Sequence, residues 1–281
     1  MKKFAFLLDS TLATTKSEVE KKDDFFFLPL YVVIDGVLYK DMEEISLDTF
    51  YEKMREGYDV TTSQISSGEF LQKYEKIREQ GYTDVFVFTL ASKMSGTMQS
   101  AIVAGGLVQG IDIHVVETAT VSAIGTIAVE QIAKFSQTTQ DPAEIRAFAD
   151  DVFSRVAIYV YVDNLETLKK GGRISAAKAM IGTVLQIKPI LIIRDGVIDV
   201  IGKERTLKKA IKGVLDAAQK VEIEYAIILH SSQPELVELM RAQCALKYPL
   251  MPLEVAGLSP VIGAHIGPNT VAFAVIEKQS S

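Results

Sequence analysis

At 281 residues, 48% of them apolar and 23% charged, the chain has the make-up of a globular protein with room for about two domains. No apolar run reaches the roughly 18 residues of a membrane span, and a single cysteine, Cys244, excludes an internal disulfide and a thiolate zinc cluster. The net charge of −6 is unevenly placed: Asp163–Lys220 holds twelve Lys/Arg against six Asp/Glu, a local +6 that leaves −12 elsewhere. Such a segment serves a negatively charged partner or is a set of solvated helix faces. No aromatic residues interleave with its charges, which speaks against nucleic acid.

The first half alternates strands and helices. Lys3–Leu8 reads as a strand rather than a signal peptide, because its apolar run stops at Asp9 with no small-residue cleavage site, and a cytoplasmic chain is expected. Phe25–Ile34 reads as one long apolar strand, turned at Asp35-Gly36 into Val37–Tyr39. Ser46 opens a helix to Arg55; Ser66 and Glu69, spaced as a capping box, open the next after a turn at Thr61–Ser66. Strand Asp84–Leu90 enters a hydroxyl-rich turn, Ser92–Thr97, and a helix to about Gln109. Ile111–Val116 is a strand, Ala123–Phe135 a helix, and Asp141-Pro142 starts one more helix.

The second half reads as Val156–Val162 (strand), a short helix capped by Asp163-Asn164-Leu165, and a helix at Ala176–Leu185. A hairpin follows, Lys188–Ile193 and Val197–Ile201 around Asp195-Gly196. Thr206–Val221 and Pro234–Lys247 read as helices, and Tyr225–His230, Leu253–Ala256 and Val271–Ile276 as strands; Ser259–Thr270 reads as a Gly/Pro-flanked loop. The expectation is an α/β protein of two domains. Residues 1–156 form a mostly parallel sheet with helices on both faces, and 157–281 a smaller α+β domain with antiparallel pairing.

In such sheets ligands bind beyond the carboxyl ends of the strands. Ser10, Ser92–Thr97 and Thr118–Ser122 all follow strands directly, and Thr61–Ser66 joins them. A strand ending in Ser95-Gly96-Thr97 at a helix start aims free N–H groups, the helix dipole and hydroxyls at one point, an anion site; the same serine also suits a plain helix cap. A site of neutral donors holds a carboxylate without burying a second full charge. Tight binding would then come from an apolar tail, at about 0.8 kcal/mol per buried CH₂. Met94, Ala101, Ile102, Ala104 and Leu107 are candidates to line its channel or are ordinary core.

Phosphate-loop, dinucleotide, zinc-protease and nucleophile-elbow motifs are all absent. Of the three histidines, His114 and His230 lie in strand patterns, and His265 in the loop. A serine hydrolase with Ser95 as nucleophile, His265 as base and Asp163 as orienter is the alternative reading.

Six stretches together resemble the DegV family, in order and spacing, from residue 4 to about 276. They are Asp9-Ser10-Thr11, Thr62-Ser63-Gln64-x-Ser66, Ser92-x-x-Ser95-Gly96-Thr97-x-Gln99-Ser100-Ala101, Asn164-Leu165-x-x-Leu168-x-x-Gly171-Gly172-Arg173-Ile174, Lys188-Pro189-Ile190-Leu191 and Gly263-x-His265-x-Gly267-Pro268. The resemblance implies one long-chain fatty acid buried between two domains, with no cofactor. Its carboxylate would lie on Thr62 and Ser95, near Ser63 and the Gly96 N–H, with Arg173 and His265 around the head group. It implies a non-catalytic subunit that presents the carboxylate to a separate ATP-dependent fatty acid kinase and carries acyl phosphate toward phospholipid synthesis, with transient membrane contact through a mobile flap. Arg205 matches a family arginine tied to the kinase. Three departures stand out: Ile65 where the family usually has Pro, Glu117-Thr118 for Asp-Ser, and Asn269 for Gly.

Overall fold

The computed structural model describes residues 2–163, 165–174 and 187–279. The helix expected at Ala176–Leu185, and Asn164, lie outside the described residues.

The first strand, β1 (Phe4–Asp9), is buried along its whole length. It runs through a one-turn helix, α1 (Lys16–Val19), into β2 (Phe25–Leu28). The apolar run does not continue as one strand. Pro29, which has no amide to give a ladder, ends β2, and β3 (Tyr31–Ile34) belongs to another sheet. At the turn, Asp35 and Gly36 both take positive φ (48° and 82°), the hairpin geometry that the Asp-Gly pair signals, and β4 (Val37–Lys40) returns.

Next come α2 (Leu47–Arg55) and β5 (Val60–Ser63), so Thr62 and Ser63 stand on a strand, where a turn was expected. The capping box of Ser66 and Glu69 opens α3 (Ser67–Glu79). β6 (Asp84–Thr89) and α4 (Thr97–Gly105) follow, the helix ending four residues before Gln109. β7 (Asp112–Glu117), α5 (Ile124–Ser136) and α6 (Pro142–Ser154) complete the first half. β2-β1-β6-β7 form a fully parallel sheet, and β4-β3-β5 a small antiparallel one.

The second half begins with β8 (Val156–Tyr161) and α7 (Glu166–Lys170). The hairpin β9 (Lys188–Arg194) and β10 (Val197–Glu204) turns at Asp195 and Gly196, again both at positive φ. Then come α8 (Leu207–Ala218), β11 (Ile223–His230), α9 (Pro234–Lys247) and β12 (Glu254–Gly257). Ser259–Thr270 is not a loop throughout. Ser259 caps a helix, α10 (Pro260–Ile266), with Pro260 in its first turn, before β13 (Val271–Glu277). These strands form a six-stranded sheet, β10-β9-β8-β13-β11-β12, antiparallel except at β11–β12.

Strand periodicity divides the core. On β8, Ala157, Tyr159 and Tyr161 face α8 and α9 in one apolar cluster. Ile158 and Val160 face the other way, into a cluster that continues through the parallel sheet to Phe6, Phe86 and Phe88. α5, which packs on both β1 and β13, lies between the two large sheets.

Candidate functional site

Between the two halves lies a cavity of about 320 Å³. Its wall includes Thr62, Ser63, Ser95, Gly96, Arg173 and His265, all six residues singled out in the sequence. The elements explain the meeting. α10 packs against β5, β3, α2 and α7, which sets His265, in its last turn, opposite Thr62. His265 Nε2 and Thr62 Oγ1 are 2.8 Å apart. Ser95 stands in the turn between β6 and α4, whose N-cap is Gly96 and carries no side-chain cap bond. The Ser95 hydroxyl instead accepts the Thr97 N–H at 3.2 Å and pairs with Thr97 Oγ1 at 2.9 Å.

Arg173 reaches across from the second half. Its Nε donates to the Met94 carbonyl (3.3 Å) and its Nη1 to the Gly171 carbonyl (2.6 Å). Burial, and secondarily the Arg173 charge, push the His265 imidazole down to about 4, so the ring is neutral at physiological pH. A Cβ at Gly96 would stand 2.4 Å from Gln64 Oε1. The glycine thus lets the Gln64 amide lie along the turn, where its Nε2 donates to Ser100 Oγ at 3.1 Å.

The cavity's polar and apolar lining differ in exposure. Ser63, Gln64, Gly96 and Arg173 are exposed, and Thr62, Ser95 and His265 half-buried, so the polar end meets solvent. Leu30, Leu90, Val121, Leu168, Ile193, Ile198, Val261 and Ile266, all buried, line the rest together with half-buried Met94 and Ile262 and one buried threonine, Thr11. Of the residues offered as tail lining, only Met94 lines it. Ala101 and Ala104 are core, Ile102 is exposed on α4, and Leu107 is exposed just past the end of that helix. The lining from β9, β10 and α10 is supplied by topology. No local signal marks Ile193 or Ile198.

The hydrolase constellation does not assemble. His265 Nε2 faces Thr62 rather than Ser95, and its Nδ1 has no hydrogen-bond partner among the described residues, so no carboxylate orients the ring. Asp163 instead bonds Tyr161 and Lys188.

Beneath the site, two carboxyls are fully buried. Asp9 accepts the Thr11 N–H and hydroxyl (2.8 and 2.6 Å) and the Leu90 N–H (2.7 Å). Asp41 accepts the Ser10 hydroxyl (2.6 Å) and the Val261 N–H (3.3 Å), joining the turn after β1 to the start of α10. Burial pushes Asp9 up to about 6 and Asp41 up to about 7. In the sequence Asp9 stands out only within the Asp9-Ser10-Thr11 stretch, with no supporting role attached to it, and Asp41 carries no signal.

The family model for "Uncharacterised protein, DegV family" matches residues 3–278. This chain belongs to the DegV family. A DegV domain-containing protein of Listeria innocua is 36% identical over 277 residues, 96% of this chain and 97% of that protein. Among solved structures, the fatty acid binding DegV family protein of Streptococcus agalactiae superposes with a TM-score of 0.90 at 28% identity, over 99% of this chain and 100% of that one. A DegV family protein of Thermus thermophilus, described for its fatty acid binding, gives 0.88 at 29%, over 98% and 100%.

The three departures from the usual DegV residues are accommodated. Ile65 is fully buried between β5 and α3. Glu117 uses its length to accept the N–H groups of Ser92 (3.2 Å) and Ala119 (2.9 Å). Asn269 takes φ +64°, a conformation that asparagine tolerates better than most residues.

Proposed function

We propose that the chain binds one long-chain fatty acid, with its tail in the cavity and its carboxylate at Thr62, Ser95 and the Gly96 N–H, near Ser63, Arg173 and His265. The observation that carries this reading is the polarity of the cavity: neutral donors and one guanidinium at the open end, buried aliphatic side chains behind them. Hydroxyls and a helix start suit a carboxylate, and burial of methylenes supplies affinity. The relatives described as fatty acid binding proteins support it.

The finer reading is a non-catalytic carrier. The head group at the open end is presented to a separate ATP-dependent fatty acid kinase and returned as acyl phosphate, destined for phospholipid synthesis, in the cytoplasm and with passing contact at a membrane. No helix among the described residues is long and apolar enough to cross one. Arg205, exposed between β10 and the N-cap Thr206 of α8, is the docking candidate, beside exposed Lys203, Lys208 and Lys209. The test is extraction of purified protein into organic solvent followed by mass spectrometry. One long-chain acid per chain is expected. A protein that carries none, and takes up none when incubated with palmitate or oleate, ends the proposal.

A further inference from the structure

Two adjacent glycines close α7, and they differ in purpose. Gly172 has φ +71° and open space where a Cβ would stand, so it serves the backbone. Gly171 has φ −72°, which any residue adopts and where alanine outranks glycine. Its use is space. A Cβ there would lie 2.5 Å from Nδ1 of His265. The imidazole therefore rests its Nδ1 edge on the Gly171 backbone, and Nδ1 is buried with no hydrogen-bond partner among the described residues. Nε2 points the other way, 2.8 Å from Thr62 Oγ1.

That wall distinguishes the two neutral forms of the ring. A proton on Nδ1 would be an unpaired buried N–H, which carries the full desolvation cost of the group. A lone pair in the same place meets polarised Cα–H, a weakly favourable contact. We propose that Gly171 is a positioning residue that holds His265 as the Nε2–H tautomer, so that the imidazole donates to Thr62 and leaves the threonine hydroxyl to donate into the cavity. A hydroxyl has one proton. Were Nε2 the acceptor, Thr62 would show the cavity only lone pairs and repel a carboxylate. Resting on the fatty-acid reading, this narrows the ligand to head groups that accept without donating: the ionised acid over the alcohol or primary amide of the same chain.

Long-range proton–nitrogen correlation spectra of the full chain with ¹⁵N-labelled histidine read the tautomer, and His265→Gln assigns the signals. The expected pattern at neutral pH is a pyridine-like Nδ1 and a pyrrole-like Nε2. A protonated Nδ1, or an imidazolium, overturns the inference whether or not the protein binds fatty acid. Gly171→Ala is expected to alter this pattern and to weaken palmitate binding roughly tenfold, the size of one lost bond to a charged group. In urea titrations it should lower the midpoint of the wild-type chain but not of His265→Ala, where the ring is gone. An equal loss in both backgrounds overturns the role given to Gly171. Wild-type protein that shows the expected tautomer but no palmitate binding would instead sink the fatty-acid reading and leave the tautomer assignment standing.

Discussion

Both hydroxyls are partly engaged, Ser95 by the Thr97 N–H and the Thr97 hydroxyl and Thr62 by His265. What each has left faces the cavity that both line. Neutral hydroxyls of this kind orient a carboxylate without the desolvation cost of a buried counter-charge, while Arg173 supplies charge only at the solvent edge. Removing one such donor costs about 1.5–3 kcal/mol when the acceptor is ionised. Ser95→Ala is therefore expected to weaken palmitate binding by about ten- to a hundredfold with the fold retained by circular dichroism. Unchanged affinity in a fluorescence displacement titration would reduce Ser95 to a turn-former. That Ser95 and Thr62 share one wall was legible in the hydroxyl-rich stretches after strands, although Thr62 stands on β5 rather than in a turn. The place of His265 beside them came only from the family resemblance. The partner of the histidine was not legible, because a hydrogen bond between residues 62 and 265 leaves no mark in local spacing.

At the scale of elements, signals with a local cause were readable. Ser66 accepts the Glu69 N–H at 3.3 Å while the Glu69 carboxylate accepts the Ser66 N–H at 2.9 Å, as their spacing announced. The box matters because α3 begins four residues after Ser63 ends β5. Ser66→Ala should cost about 1 kcal/mol, seen as a lower urea midpoint, and no shift would mean that packing alone holds that end. Both Asp-Gly turns were likewise readable, since two successive positive φ angles demand such residues. The break at Pro29 and the helix at Pro260–Ile266 escape local reading for opposite reasons. Pro29 interrupts a run whose hydrophobicity alone suggests continuity, and α10 is one short helix whose glycine content hides it, although Ser259-Pro260 is a start signal.

For the whole molecule the decisive feature is how α10 is held against the first half. Asp41 does this from inside, through the Ser10 hydroxyl and the Val261 N–H, with burial pushing its carboxyl up to about 7. In the unfolded chain an aspartate titrates near about 3.9. Between those values the folded state binds more protons, so stability is full at low pH and is lost as pH rises through the folded value. Asp9, raised to about 6, acts in the same direction. Asp41→Asn should therefore flatten the fall in urea midpoint between about pH 4 and 7, and parallel profiles for variant and wild type would refute it. Long-range charge also belongs to this scale. Arg205→Ala should leave palmitate binding intact yet lower turnover by a partner kinase, with a deficit that shrinks as salt rises. Equal turnover at low salt would remove the docking role.

The sequence by itself determined the class of the fold, most element boundaries and the residue types at the site, because periodicity, caps and turn chemistry act over a few residues. The tertiary structure alone decided which side chains close the apolar end and which atom faces His265. It also decided that two carboxyls lie buried beneath the site. Those outcomes depend on β9, β10 and α10 being carried across from the other half of the chain, and no local pattern encodes contacts made at separations of 79 to 220 residues.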